Sequence, residues 1–274
     1  MHVGHCFYIS LREIFKFMKQ EYIENLQSWR IWNVEDLGKI QKSSASAKML
    51  MQNYMSRGLV SSVRRNLFAA NDLATGLPIP TRYEIGSRIT PTSYISYHSA
   101  LEYHGFAQQL GFVVYVASKK KFRPFSFNDY DYQYCQSFME EGVINPMTDT
   151  LVSVTNVERT IVDCVDRIDL AGGWEEMLSS LEMIYRPDFT LIELYLKKYG
   201  KKTLYAKMGL MAEYFSLQWN TPKEFITRCS EICKRHLSYF TAKEESRAYN
   251  KTWNIYVPQS MQMYMKKSNN HEII

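Results

Sequence analysis

In SSASAKMLMQNYMSRGLVSSVRRNLFA, residues 43–69, a helix and a basic hairpin follow one another directly. Ala47, Leu50, Met51 and Tyr54 recur at helical spacing and form the inward face. Ser44, Ala45, Lys48, Met49 and Gln52 share the other side. Gly58 supplies the helix stop. Leu59-Val60 and Leu67-Phe68-Ala69 are short strand runs. Arg64-Arg65-Asn66 between them is the turn, and Asn66 tolerates the positive φ that a tight hairpin needs. Serine, lysine and glutamine on an open helix face reach phosphates and base edges, and a doubly basic hairpin tip reaches a duplex backbone.

Upstream, helical spacing runs from Leu11 to Leu26 through Ile14, Phe15, Met18 and Tyr22. A short second helix follows Asn33, a capping residue, with Val34, Leu37 and Ile40 inward, and Lys42-Ser43-Ser44 breaks it. Three helices and a basic hairpin are the order of a winged helix-turn-helix, whose third helix enters the major groove. The expected DNA contacts are Ser44, Lys48 and Gln52 in the groove, with Arg64 and Arg65 on the phosphates. The charge distribution agrees. Residues 1–90 carry twelve Lys/Arg and seven Asp/Glu, whereas the rest carries 21 of each, so the whole surplus of +5 lies in the first third. From Asn71 to about Arg88 the periodicity is lost and Gly76, Pro78 and Pro80 appear. This stretch reads as a linker with a short strand near Tyr83–Ile85.

Beyond the linker, residues 93–105 read as a helix closed by Gly105. Phe112–Ala117, Arg123–Phe127, Tyr132–Phe138 and Leu151–Val154 read as strands. Thr155-Asn156-Val157-Glu158 matches a capping box, opening a helix with Ile161, Val162 and Val165 inward. Arg159, Asp163 and Arg167 are spaced four apart and are expected to pair on its open side. Mostly helix follows, over 175–184, 191–198, 204–217 and 222–237, then a strand at Trp253–Val257 and a frayed polar tail from Gln259. The expected class is α+β, divided as a winged helix-turn-helix over 1–70, a linker over 71–92, a larger mixed domain over 93–258 and a tail over 259–274.

The stretches YISYHSALEYHGF, residues 94–106, and VTNVERTIVDC, residues 154–164, resemble those of AbiEi antitoxins, the antitoxin half of the abortive-infection E, type IV toxin–antitoxin systems. Asp169-Leu170-Ala171-Gly172-Gly173 is similar too, and so is the order of winged helix and larger domain. The resemblance covers roughly residues 20–240. Asn66 departs from it, standing where a glycine is more usual at the wing turn, as does the extension before Met18. The resemblance implies a bacterial or phage-related cytoplasmic protein that neutralises a nucleotidyltransferase-like toxin encoded beside it. It implies repression of the shared promoter at inverted repeats, and neither catalytic residues nor a cofactor. Direct binding of the toxin is not implied. The alternative is a stand-alone winged-helix regulator whose second domain senses a ligand or mediates assembly.

The remaining chemistry of the 274-residue chain points the same way. No stretch approaches the roughly 18 uncharged apolar residues of a membrane span. The opening is interrupted by Arg12, Glu13 and Lys16 and lacks a small-residue cleavage site, so export is not expected. No GxxxxGK[ST] loop or HExxH occurs, and no acidic residue stands two before a lysine. Asp129 and Asp131 form a D-x-D pair that reads as a polar hairpin edge rather than a metal site. His98 and Glu102 point one way along a helix and His104 another. The five cysteines read as thiols, two of them, Cys229 and Cys233, half-buried one turn apart. Lys119-Lys120-Lys121 with Arg123, which reads as a nucleic-acid or toxin-facing contact, and the Arg159–Asp163 helix side are the candidate antitoxin surface.

Overall fold

The computed structural model describes residues 28–33, 36, 44–147, 151–241 and 246–271, with backbone alone at 44–48 and 268–271. The expected helix over 11–26, the body of the helix after Asn33, Cys6 and the extension before Met18 lie outside these residues. The fold is α+β, and the chain divides into two compact units between Ile89 and Thr90.

In the first unit, β1 (Ile31–Asn33) precedes α1 (Ser44–Ser56), and the hairpin β2 (Val60–Arg64) and β3 (Leu67–Ala70) follows. The sheet order is β1-β3-β2, antiparallel throughout. At the end of β1, Asn33 Oδ1 accepts from the Asp36 amide at 2.9 Å and Asp36 Oδ2 from the Asn33 amide at 3.2 Å, the reciprocal geometry of a capping box. Met51 and Tyr54 of α1 pack with Trp32, Val60, Phe68 and Ala70. α1 stops where Gly58 takes φ +71°, which a residue with a Cβ adopts at a cost. Asn66 takes φ 68° at the hairpin turn, so an asparagine serves where a glycine was the more usual residue.

Residues 71–88 are structured, where a linker was expected. Asn71 is buried, donating to the Gly58 carbonyl and accepting from Ser61, each at 2.9 Å. In place of the expected strand near Tyr83–Ile85 is α2 (Arg82–Ser87), opened by a capping box between Thr81 and Glu84. Arg30 fastens it, 2.9 Å from Glu84 and 3.1 Å from the Ile79 carbonyl. The strand expectation failed because a four-residue T-x-x-E signal outweighed weak alternation.

The second unit is built on a six-stranded mixed sheet, order β6-β7-β5-β4-β9-β8. Its strands are β4 (Tyr94–Ile95), β5 (Val113–Ser118), β6 (Phe125–Phe127), β7 (Tyr130–Gln136), β8 (Val143–Ile144) and β9 (Val154–Thr155). α3 (Tyr97–Tyr103) follows β4 directly, and Gly105 turns the chain back at φ +78°. α4 (Val157–Asp166) is buried from Arg159 to Val165, contacting α3 and the later helices over Phe189–Tyr199 and Lys202–Tyr214. The Thr155–Glu158 capping box is not formed. Thr155 belongs to β9 and its hydroxyl meets Thr160 at 2.7 Å, while Asn156 caps α4 by accepting from the Arg159 amide at 2.9 Å. Glu158 instead accepts from the Asp188 amide at 3.1 Å.

A 3₁₀ turn (Ile168–Leu170) leads to α5 (Trp174–Leu181), α6 (Phe189–Tyr199), α7 (Lys202–Tyr214), α8 (Ser216–Trp219) and α9 (Lys223–Cys233). A small sheet, β10 (Ser238–Tyr239), β12 (Ile255–Pro258) and β11 (Arg247–Asn250), in that order, closes the unit with α10 (Gln259–His271). α10 replaces the expected frayed tail. Met261 and Met265, one turn apart, are buried in the core, and that burial holds the helix.

Gly209 on α7 lets Trp253 pack directly on the helix, because a methyl built there would enter the Trp253 ring. Trp253 is buried and donates to Glu213 at 2.6 Å, so it has little room to yield. Gly209→Ala is expected to lower stability by about 1–3 kcal/mol through overpacking, despite alanine's better helix propensity. Thermal melting checks this, and a rise in Tm would show that Trp253 is free to move.

Candidate functional site

The candidate nucleic-acid face of the first unit is assembled by one local irregularity. Between Ser62 and Arg64 the β2–β3 register shifts. Strict alternation from Val60 would place Val63 on the outer face. The shift turns it inward, and both valines are buried. Arg64 is left half-buried, with burial pushing its guanidinium below the ordinary value. Arg65 stands exposed at the tip beside Asn66. On α1, Gln52 is exposed on the side opposite Met51 and Tyr54. Ser44 and Lys48 lie on the same helix, but their side chains fall outside the described residues.

In the second unit the candidate surface divides into exposed and buried parts. Lys119, Lys120, Lys121 and Arg123 are exposed after β5. Lys119 is paired with Glu140 at 2.7 Å. It also lines a cleft of about 1010 Å³ with Phe138, Met139, Glu140, Glu141, Lys198, Tyr199 and Lys201. Lys198 pairs with Glu141, and Lys201 with Asp166 at 2.6 Å. The Lys201 ammonium lies 5.5 Å over the Phe138 ring and 5.2 Å over that of Tyr199. Lys198, Lys201, Phe138 and Tyr199 are additions to the expected patch. The only signal for them in the sequence is the basic run Lys197-Lys198…Lys201-Lys202 about Gly200.

Arg159 and Asp163 are not on an open face, and the expectation that they form part of the surface is corrected. Each is 1% exposed. Their four-residue spacing does bring them together, Arg159 Nε donating to Asp163 Oδ1 at 2.6 Å. What the spacing could not convey is that α6 lies across them. Tyr199 donates its hydroxyl to Asp163 at 2.6 Å. Arg159 Nη1 donates to the Glu141 carbonyl at 2.8 Å. Burial opposes the Arg159 charge, but Asp163 and Tyr199 outweigh it and hold the guanidinium above its ordinary value. Gly142, at φ +81°, lets this loop pass because a Cβ there would meet Tyr195 and Arg159. The pair therefore touches the lining of that cleft through Tyr199, whose hydroxyl it binds, and through the Glu141 carbonyl.

The aspartates and histidines singled out in the sequence have structural partners or turn roles. Asn128 and Asp129 both take positive φ in the two-residue turn between β6 and β7, and Asp131 accepts from Ser126. His98 lies 3.6 Å from Glu102 and 3.2 Å from Glu176. His104 points elsewhere, to the Thr155 carbonyl at 2.7 Å, and burial lowers its pKa. Among the described residues no group of three His, Cys, Asp or Glu side chains is arranged to hold a metal. Cys229 and Cys233 are fully rather than half buried, and desolvation raises both thiols. No helix among the described residues is long and apolar enough to cross a membrane.

No family profile matches the chain, and no curated protein sequence matches it. Among solved structures it is similar to the crystal structure of the RV2827C protein from Mycobacterium tuberculosis. The TM-score is 0.57 at 11% identity, over 90% of this chain and 93% of that one. At that identity the likeness is one of fold.

Burial makes Arg159 and Lys120 opposite tests. Arg159→Ala leaves the Asp163 carboxylate buried without its cation, and is expected to cost about 3–5 kcal/mol. Lys120→Ala should stay within about 0.5 kcal/mol of the parent. Denaturant titrations of the two variants check this. Equal stabilities would mean that Arg159 is solvated.

Proposed function

We propose that the chain is an antitoxin of the AbiEi kind, which represses its own operon through the first unit and counteracts a nucleotidyltransferase-like toxin through the second. The observation that carries this reading is the hairpin tip. Arg65 is exposed there beside the half-buried Arg64, directly after a helix whose outer face presents Gln52, within the third of the chain that holds all of the excess positive charge. Ser44, Lys48 and Gln52 read base edges, while Arg64 and Arg65 take phosphates. The toxin-directed half rests on the resemblance of residues 94–106 and 154–164. Those stretches supply β4, α3, β9 and α4, the centre of the second unit. Lys120, Lys121 and Arg123, joined by Lys198 and Lys201, are its outward face. No cofactor and no catalytic residue enters the proposal.

Two measurements separate the halves. The full chain should bind its own promoter with affinity falling steeply as salt rises. Arg64→Ala with Arg65→Ala should weaken binding to all sequences and flatten the log–log salt slope by about one to two. An unchanged slope would remove the wing from the interface.

Residues 90–274 form a compact unit with their own core. They should rescue growth when co-expressed with the toxin gene beside their own, whereas residues 1–89 should not. Protection by the full chain alone, or by the basic head alone, would contradict this division of labour.

A further inference from the structure

A second cleft in the larger unit, of about 1070 Å³, opens where the end of α4, the 3₁₀ turn, the start of α5, α7 and the β10 region meet. Its floor holds Lys207 of α7, only 8% exposed. The ammonium donates to the Asp166 carbonyl at 3.3 Å and stands 5.5 Å over the Phe240 ring. Among the described residues Lys207 makes no ion pair. Two of the nearby acids are engaged elsewhere, Asp166 with Lys201 at 2.6 Å and Asp169 with Arg167 at 2.7 Å. Glu175 lies exposed at the rim.

A buried ammonium with one long hydrogen bond is costly, because desolvation is not offset by a counter-charge. Desolvation pushes this amine down to about 8, with Asp166 opposing it in part. Arg247, at the same cleft, holds its guanidinium 4.9 Å over the Tyr239 ring. Trp174 and the exposed part of Tyr239, whose ring stacks on Tyr256 at 5.4 Å, give the cleft its aromatic wall, while Phe240 is buried beneath the Lys207 ammonium. We infer that the cleft binds a small planar anion, with its acid group held by Arg247 within reach of Lys207 and its flat body against Tyr239 and Trp174. An anion reaching Lys207 supplies the missing counter-charge where the dielectric is low, and a planar body uses the rings that surround it. The site is independent of the roles in DNA binding and toxin control.

Pyridoxal 5′-phosphate is a suitable probe, being a flat aromatic anion with an aldehyde. A neighbouring amine condenses with that aldehyde, forming a C=N bond and releasing water, and borohydride fixes the product. The full chain is incubated with the probe, reduced and mapped by peptide mass spectrometry. Lys207 should be labelled ahead of the exposed Lys119, Lys120 and Lys121. Pyridoxine 5′-phosphate, which has no aldehyde, should slow that labelling about tenfold when present at ten times its Kd. Arg247→Ala should raise the concentration of competitor required. Labelling scattered over the exposed lysines overturns the inference, as does Lys207 labelling that the competitor fails to slow. Because the competition is performed on the unsubstituted protein, no variant need fold for the inference to fail.

Discussion

The larger unit depends on burying a charged pair in a helix whose middle, Arg159 to Val165, is buried. Arg159 and Asp163 are 1% exposed each. Such a pair is tolerated only when geometry is good and the remaining donors find acceptors. Here the Arg159–Asp163 contact, the Glu141 carbonyl and the Tyr199 hydroxyl meet that demand. Meeting it fixes the loop through Gly142 and the end of α6 against α4. The same contacts set the Tyr199 ring beneath Lys201, so the shape of the cleft lined by Lys119, Lys198 and Lys201 follows from a buried interaction.

The smaller unit solves a different problem, which is to keep a core while presenting basic groups at its tip. The register shift at Ser62–Arg64 buries both valines of β2 and leaves Arg65 exposed. Asn66 makes the turn at positive φ. Stability and exposure of charge are thus arranged by the same few residues. The segment over 71–88 adds a polar anchor at Asn71 and a capped helix tied by Arg30, so it belongs to this unit.

Where sequence expectation and structure diverge, the competing interaction can be named. Thr155 and Glu158 have capping-box spacing, but pairing of β9 with β4 and β8 draws Thr155 into the sheet, and Asn156, one residue on, takes the cap. The Thr81–Glu84 box is equally visible in the sequence and does form. No strand competes for Thr81. The polar tail contains Met261 and Met265 at a four-residue spacing, and this short stripe becomes α10 only because a core is present to receive it.

The sequence by itself determined the α+β class, the helix–hairpin order around residues 43–69, the segregation of charge into the first third, and the meeting of Arg159 with Asp163. Each of these is a short-range property, set by a period of 3.6 or 2 residues, by a turn residue, or by counting charges. Which side of α4 faces water, what lies over Arg159, and that Lys207 would be buried at the floor of a cleft were decided by the tertiary structure. Those outcomes depend on elements such as α6 and β10 that reach the site from some 30 to 40 residues away in the chain. Local periodicity specifies which side chains share a face, but burial of that face is settled by whatever else packs against it.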